Sequence, residues 1–247
     1  MRLALISDIH ANLPALEAVL ADIDGGAFEA VYHLGDLVGY GPWPDETVEL
    51  VRLWGIPGVA GNYDSTVAAH YKHCGCRYED PVQEALSHRS YEWTLRHVSS
   101  RTRRFLGALP FRLDVRIDGG HAAGRQIILV HGTPTLNTVY WTEDRPDDFS
   151  LGMAQRAGAR PGDLIAFGHT HLPWNREIGG VAFLNTGSVG RPKDGDWRAG
   201  YAAVTIDAKG PHVEFVRVEY DLERTLAGIR SSDLPDELGA FLQRGGR

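Results

Sequence analysis

Short apolar runs alternate with stretches of helical periodicity over the first 60 residues of the chain. Residues 3–6 form a continuous apolar run, which is typical of a central strand covered on both faces. Residues 13–20 carry apolar side chains at helical spacing, with Asn12 as the candidate N-cap and Pro14 in the first turn. A second apolar run at 30–34 completes a β-α-β unit, which predicts parallel strands and an α/β fold.

The same alternation continues along the chain with one interruption. Residues 65–110 break the rhythm and positions 82–107 are mainly helical in pattern, so we predict a helical insertion at about 65–110 within a single domain spanning 1–247. A helix is predicted at 45–54 and a short strand at 59–60. The remaining predicted elements are strands at 111–117, 126–130, 164–167, 181–184, 201–206 and 212–218, a turn at 118–120, a helix at 149–157, and a helical segment at 222–242 that Pro235 breaks.

Residues able to bind metal ions follow several of the predicted strands. His169 and His171 come directly after the apolar run at 164–167. Open α/β sheets bind ligands beyond the carboxyl ends of their strands, and imidazole is a versatile ligand for divalent transition metals. The groups in such positions are Asp8, His10, Asp36, Asn62, His131, His169 and His171.

The chemistry of these groups favours a particular kind of metal site. A mixture of carboxylate, amide and imidazole suits a pair of divalent transition ions better than Ca²⁺ or Mg²⁺, which prefer oxygen ligands. A carboxylate such as Asp36 can bridge two ions. Two ions about 3.5–4 Å apart can share a water, lower its pKa and neutralise charge on a phosphoryl group. The pattern therefore predicts attack by a metal hydroxide on a phosphate ester.

Composition limits the classes of partner. The chain has 247 residues, is 43% hydrophobic and carries a formal net charge of −7. The acidic balance argues against a nucleic-acid partner, whose binding surfaces are usually basic, and we expect a small phosphate ester instead. No apolar stretch approaches the roughly 20 residues of a membrane span, and no signal-peptide pattern is present. We therefore expect no membrane partner and a cytoplasmic location.

The cysteines of the chain are Cys74 and Cys76, separated by one glycine. His70 and His73 are near enough in sequence for a small zinc site to form with them. Metal sites usually space their cysteines by two or more residues. A pair of free thiols in a loop is therefore the favoured interpretation.

Five motifs in order along the chain resemble those of a known family, the calcineurin-like metallophosphoesterases. Residues 7–14 and 187–192 also resemble the small bacterial phosphodiesterase branch of that family. The resemblance implies a four-layer α/β/β/α sandwich, two mixed β-sheets flanked by helices, with the site between the carboxyl edges of the sheets. The motifs are Asp8-x-His10, Gly35-Asp36, Gly61-Asn62-x-Asp64, His131-Gly132 and Gly168-His169-x-His171.

The resemblance also implies how two metal ions are bound. Asp36 would bridge both ions, which in the family are Mn, Fe, Ni, Zn or Co. The first ion would be bound by Asp8, His10 and His171, and the second by Asn62, His131 and His169.

One position departs from the family pattern. Asn62-Tyr63-Asp64 stands where the family usually has Asn-His-Asp, a histidine thought to contact the phosphoryl oxygen or protonate the leaving group, oriented by the aspartate. Tyr63 and Asp64 are accordingly the candidate catalytic residues. The ordinary pKa of tyrosine, near 10, makes it a poorer proton donor at neutral pH than histidine. Three outcomes stay open: Tyr63 is an electrostatic substitute, substrates with good leaving groups are favoured, or catalysis is weak.

Two residues are candidate substrate contacts. Asn12 is primarily a helix cap but is also placed to contact substrate. Arg191 and Lys193 follow a glycine-rich turn and could clamp a phosphate, although a solvated basic loop explains them equally well. His33 lies inside a strand and is expected in the core or behind the ligands. Trp141 and Tyr40 could stack on a base or aryl group, but a place in an exposed loop or in the core is the favoured interpretation.

The leading hypothesis is a dinuclear metal-dependent phosphodiesterase in which metal-bound hydroxide attacks phosphorus, with Tyr63 or a water assisting the leaving group. A phosphomonoesterase, including a protein-phosphatase-like enzyme, is the second enzyme hypothesis. A third hypothesis is a metal-bound but catalytically weak binding module, because Tyr63 replaces the usual histidine.

Overall fold

Two β-sheets pack face to face in the computed structural model, which describes residues 1–78, 80–117, 119 and 123–246. Within those residues the first sheet has the strand order β2-β1-β8-β9, from β1 (Arg2–Ile6), β2 (Ala30–His33), β8 (Ala199–Ile206) and β9 (Pro211–Val218). The second sheet has the order β3-β4-β5-β7-β6, from β3 (Leu113–Arg116), β4 (Gln126–Leu129), β5 (Leu164–Phe167), β6 (Trp174–Ile178) and β7 (Val181–Asn185).

The predicted β-α-β unit is present at the start of the chain. Helix α1 (Leu13–Asp24) connects β1 to β2, and these strands pair in parallel with Leu3 opposite Ala30. The helix begins where predicted, because the Ala15 N–H donates to the Asn12 side chain and Pro14 lies in the first turn. On its other edge β1 pairs antiparallel with β8, so the first sheet is mixed.

Alternate residues of β1 pack into different layers of the molecule. Leu3 and Leu5 belong to the apolar cluster between the two sheets, whereas Ala4 and Ile6 pack with α1 on the outer face. On the far side, Phe167 of β5 packs with α6 (Asp147–Ala157) in a third cluster. The order helix, sheet, sheet, helix confirms the expected four-layer α/β/β/α sandwich.

Most helices lie where the sequence predicted them, but the helix over Asn62–Ala68 was not predicted. The helical stretch at 82–107 is divided at Ser99, whose side chain accepts from the Thr102 N–H and so caps the second helix. That these helices form an insertion within one domain stays a prediction. In the described residues, no helix combines the length and apolar character needed to cross a membrane. The other helices are α2 (Pro44–Leu53), α3 (Asn62–Ala68), α4 (Pro81–His97), α5 (Ser100–Ala108), α7 (Leu222–Arg230) and α8 (Glu237–Gln243).

Two strand predictions were wrong. Residues 59–60 form no strand; a single bridge joins His33 to Gly58, and the Ala60 N–H then donates to Pro110 instead of continuing the sheet. Strand β6 was missed, because its middle residues are polar and partly exposed at the edge of the sheet. The predicted turn at 118–120 includes Asp118 and Gly120, which lie outside the described residues.

Candidate metal centre

The predicted ligands converge at the carboxyl edges of both sheets. Asp8 and His10 follow β1, and Asp36 follows β2; from the second sheet, His131 follows β4. Asn62 is the first residue of α3. All are buried, with at most 4% of the residue surface exposed in any of Asp8, His10, Asp36, Asn62, His131, His169 and His171.

Backbone strain is concentrated in these same loops. A positive φ is uncommon for residues other than glycine and costs about 1–3 kcal/mol when a residue is held there. These loops are buried among the packed strand ends, and that packing holds them in the strained conformation. The strained residues are therefore those whose side chains point towards the centre. The φ angles are 51° for Asp8, 50° for His10, 53° for Asp36, 66° for His169 and 61° for His171.

One group of side chains contains Asp8, His10 and His171, with one candidate ligand atom from each within 4.8 Å of the others. The Nε2 atom of His171 lies 3.3 Å from Asp8 Oδ1 and 3.2 Å from His10 Nε2. The second oxygen of Asp8 is fixed separately: it accepts from the Ser7 hydroxyl at 2.6 Å and from the His169 N–H at 2.9 Å. The Oδ1 atom therefore points at the histidines.

A second group contains Asp36, His131 and His169, again with one atom of each within 4.8 Å. Asn62 adjoins it, since its Oδ1 lies 3.0 Å from His131 Nε2. Asp36 Oδ2 is 3.4 Å from His131 Nε2 and 3.7 Å from His10 Nε2, so this carboxylate lies between the two groups. Its other oxygen accepts from the Tyr63 N–H at 2.9 Å.

The histidine hydrogen bonds show that both groups suit cations. The Nδ1 atoms of His10, His131 and His171 lie 3.0, 2.8 and 2.5 Å from backbone carbonyl oxygens, which can only accept. Each Nδ1 therefore carries the hydrogen, and the Nε2 atoms of His10 and His171 present lone pairs to the centre. Within the described chain, Asp8 Oδ1 and His169 Nε2 have no hydrogen-bond partner. Converging, unpaired acceptors of this kind fit divalent transition ions.

The electrostatic environment keeps most of these imidazoles in the neutral form that binds metals. Burial and the neighbouring His171 lower the pKa of His10, and burial together with Lys193 lowers the pKa of His171. Burial alone would lower the pKa of His131, but the adjacent Asp36 carboxylate outweighs it and raises that pKa to about 9. A cation beside His131 would have to displace this proton.

The two candidate catalytic residues are buried behind the ligands. The Tyr63 hydroxyl lies 2.7 Å from the Ser87 hydroxyl of α4, and Tyr63 does not line the cleft. Burial raises its pKa well above the ordinary value. Asp64 accepts from the backbone N–H groups of Leu37 and Gly61 at 2.9 and 3.0 Å, so it braces the loops that carry Asp36 and Asn62. These contacts favour positioning roles for both residues.

The two candidate substrate contacts differ in placement. Asn12 is buried, and its amide donates to the Gly190 carbonyl at 3.0 Å and accepts from Thr225 at 2.9 Å. The structure therefore supports its capping role, and a contact with substrate stays a prediction. Arg191 lines the cleft beside the two groups of ligands. His33 is fully buried, with neither ring nitrogen hydrogen bonded in the described chain, and so behaves as a core residue.

A cleft of about 920 Å³ adjoins the centre, and its wall includes Thr170, which lies between His169 and His171, although none of the seven candidate ligands lines it. Tyr140 lies on its wall and stacks on the His169 ring, with 4.6 Å between ring centroids. Nothing in the sequence distinguished Tyr140, because the contact depends on a long polar loop. Trp141 is buried against Phe167, as expected.

The cysteine loop reaches this centre, which sequence spacing could not establish. The Asn62 amide donates to the Cys74 carbonyl at 3.1 Å and to Cys76 Sγ at 3.2 Å. Both thiols are free. These contacts orient the Asn62 side chain so that its oxygen faces His131.

Solved structures of other proteins resemble this one over nearly its whole length. A crystal structure described as a metallophosphoesterase from Sphaerobacter thermophilus is 33% identical, with a TM-score of 0.75 over 99% of this chain and all of that chain. A hypothetical protein of Pyrococcus horikoshii, 24% identical, has a TM-score of 0.82 over 100% of this chain and 98% of its own, and so shares the fold.

Similarity in sequence extends over the same length. An uncharacterized protein of Methanocaldococcus jannaschii is 33% identical over 97% of this chain and 96% of its own length. The sequence profile of the calcineurin-like phosphoesterase superfamily domain matches residues 1–209, which include all seven candidate ligands. The chain therefore belongs to the calcineurin-like phosphoesterase superfamily, whose members are metal-dependent hydrolases of phosphate esters.

Proposed function

We propose that this protein hydrolyses phosphodiesters at a dinuclear metal centre. The observation that carries the proposal is the pair of adjoining ligand groups with Asp36 between them. Asp8, His10 and His171 would hold one divalent ion; His131, His169 and Asn62 would hold the other, with Asp36 shared. Ions bound there would acidify water and neutralise charge on the phosphoryl group.

The protein's own residues would orient the reacting groups. Arg191 lines the cleft and would donate hydrogen bonds to a phosphate group of the substrate. Its guanidinium is held between two aromatic rings, which limits its movement. A cleft of about 920 Å³ has room for both ester groups of a diester.

Proton donation to the leaving group is assigned to water rather than to Tyr63. The Tyr63 hydroxyl is engaged with Ser87, and its raised pKa makes it a weaker acid than free tyrosine. Tyr63 would have to leave Ser87 to reach a substrate oxygen. Substrates with good leaving groups, which need little proton assistance, are therefore the expected preference.

Hydrolysis of two chromogenic esters tests the proposal. Metal-stripped protein is reloaded with Mn²⁺ and assayed with bis(p-nitrophenyl) phosphate and p-nitrophenyl phosphate. Diester turnover should require metal and fall by about 100-fold or more in Asp36→Ala, in line with the loss of a central electrostatic group. The matched control is Asp24→Ala, an exposed acid at the end of α1, which should retain the parent rate.

The other outcomes separate the remaining hypotheses. Turnover of the monoester alone would replace the proposal with a phosphomonoesterase. Stoichiometric metal binding without turnover of either ester would favour the binding module, for which the buried Tyr63 is the supporting observation.

A further inference from the structure

Two basic side chains flank the first group of candidate ligands. The Arg191 carbonyl accepts from His171 Nδ1 at 2.5 Å, and the Lys193 backbone N–H donates to the His171 carbonyl at 3.4 Å. Both side chains line the cleft. The segment that fixes His171 therefore also delivers two positive charges to the same opening.

Arg191 is held rigidly yet has no acidic partner. Its guanidinium carbon lies 4.0 Å from the ring centre of Tyr40 and 3.9 Å from that of Phe241. The residue is 4% exposed, and its side chain makes one long hydrogen bond, 3.4 Å to Gln83. Across residues 1–78, 80–117 and 123–246 no carboxylate forms an ion pair with it. A buried guanidinium without a carboxylate is suited to an incoming anion.

Lys193 reinforces this positive charge. It is partly buried and, over the same described ranges, forms no ion pair. Burial and the nearby Arg191 lower its pKa to about 8, so the ammonium is retained at neutral pH but is repelled by its neighbour. An anion placed between the two side chains would relieve that repulsion.

The charge of the metal centre could be balanced without Arg191 and Lys193. Two divalent ions held there would exceed the charge of Asp8 and Asp36 by two, and one hydroxide and one phosphodiester would cancel that excess. Arg191 and Lys193 are not needed for that balance. The cleft wall also carries Arg77 and Arg145 and, among the residues that the structure describes, two acids, although the whole chain has a net charge of −7. The cleft is thus locally basic in an acidic protein.

We propose that Arg191 and Lys193 form a second anion-binding subsite, and that the substrate is an ester carrying a further phosphate beside the phosphodiester that is cleaved. This inference rests on the proposed function for the cleaved bond. It adds the substrate class: a phosphodiester that bears a second, doubly charged phosphate.

Binding to the metal-free protein tests the subsite without turnover. Isothermal titration calorimetry compares thymidine 5′-monophosphate with thymidine, which differ by one phosphate. The monophosphate should bind about tenfold more tightly or better, the range of one or two charge-assisted hydrogen bonds. Lys193→Met should remove this preference, and Lys193→Arg should restore it, which separates charge from folding. The control is Lys209→Met, an exposed lysine in the β8–β9 turn.

Kinetics with a matched pair of diesters test the same preference in the Mn²⁺-loaded enzyme. The substrates are thymidine 5′-(p-nitrophenyl phosphate) with and without a 3′-phosphate. The 3′-phosphate should raise kcat/KM, and Lys193→Met should bring the two values together. Equal binding of thymidine and its monophosphate by the parent, or a preference that survives Lys193→Met, would overturn the subsite.

The two proposals fail in different ways. Diester hydrolysis with no preference for the extra phosphate would remove the subsite and leave the phosphodiesterase. A Lys193-dependent binding preference without hydrolysis of either diester would keep the subsite and remove the phosphodiesterase.

Discussion

Gly168 lies so close to Asp8 that a methyl group on its Cα would fall 2.3 Å from Asp8 Oδ2 and 2.0 Å from the Ser7 hydroxyl. This closeness lets the backbone after β5 hold the carboxylate of Asp8, since the His169 N–H donates to the same oxygen. Glycine is therefore required at position 168 because a side chain there would clash with Ser7 and Asp8, and not because of its backbone φ angle.

Gly168→Ala should displace Asp8 and weaken metal binding. We expect about a tenfold loss or more of affinity for one equivalent of Mn²⁺, and a loss of about 1–3 kcal/mol in the free energy of unfolding. Metal content after dialysis is measured by mass spectrometry. Gly152→Ala in α6 is the matched control, because a methyl group there meets no atom within 4 Å. Retention of both ions by Gly168→Ala would contradict the expectation.

Metal binding should stabilise the fold strongly. The Nε2 atoms of His10 and His171 are 3.2 Å apart and both present lone pairs, so a cation removes their repulsion. At about 100 times the dissociation constant, Mn²⁺ should add about 2.7 kcal/mol to the free energy of unfolding. For a chain of this size that corresponds to a rise in Tm of about 5–10 °C. Calorimetry with and without a chelator measures it, and Asp8→Asn should reduce the rise.

Removing the Tyr63 hydroxyl should affect stability more than catalysis. Tyr63→Phe breaks the hydrogen bond to Ser87 and should cost about 0.5–1.5 kcal/mol. Because that hydroxyl faces α4, kcat should change by less than about threefold. Ser87→Ala is the companion variant. A loss of kcat that is larger for phenyl esters than for p-nitrophenyl esters would instead identify Tyr63 as the proton donor.

His33 should make the protein sensitive to acid. Burial lowers its pKa to about 3 in the folded state, from 6.5 in the unfolded chain. The unfolded chain therefore binds the proton first, so the stability is complete above pH 6.5 and declines as the pH falls towards 3. The expected slope is about 1.4 kcal/mol per pH unit.

Urea unfolding at pH 7.5 and pH 5.5, in a chelator, measures this loss for the parent and for His33→Leu. The variant should lose about 1–1.5 kcal/mol less than the parent over this interval. His88→Gln, at an exposed histidine, is the control and should match the parent. An equal loss in the parent and in His33→Leu would show that His33 titrates normally.

The order of elements and the set of candidate ligands could be predicted from the sequence. The continuous apolar run at 164–167 forms a buried strand, because its side chains are driven out of water into the space between the layers. The polar residues that follow must then lie at the sheet edge. Asp8 and His171 are therefore brought together although 162 residues lie between them in the chain, and their atoms are 3.3 Å apart.

Side-chain direction could not be predicted in this way. Tyr63 follows Asn62 directly, yet its hydroxyl turns to Ser87 because α4 packs over that face. The strand expected at 59–60 is absent for a similar reason: Pro110, distant in sequence, accepts the Ala60 N–H. The local pattern of apolar residues predicts neither the contact between Tyr63 and Ser87 nor the hydrogen bond from Ala60 to Pro110.

The sequence by itself determined the family, the layered fold and which residues approach the centre, because strand ends and apolar spacing are local properties of the chain. Only the tertiary structure decided that Asn62 is oriented by Cys76, that Tyr140 covers His169, and that basic groups line the cleft. These contacts join segments far apart in sequence, and their geometry follows from how the layers pack.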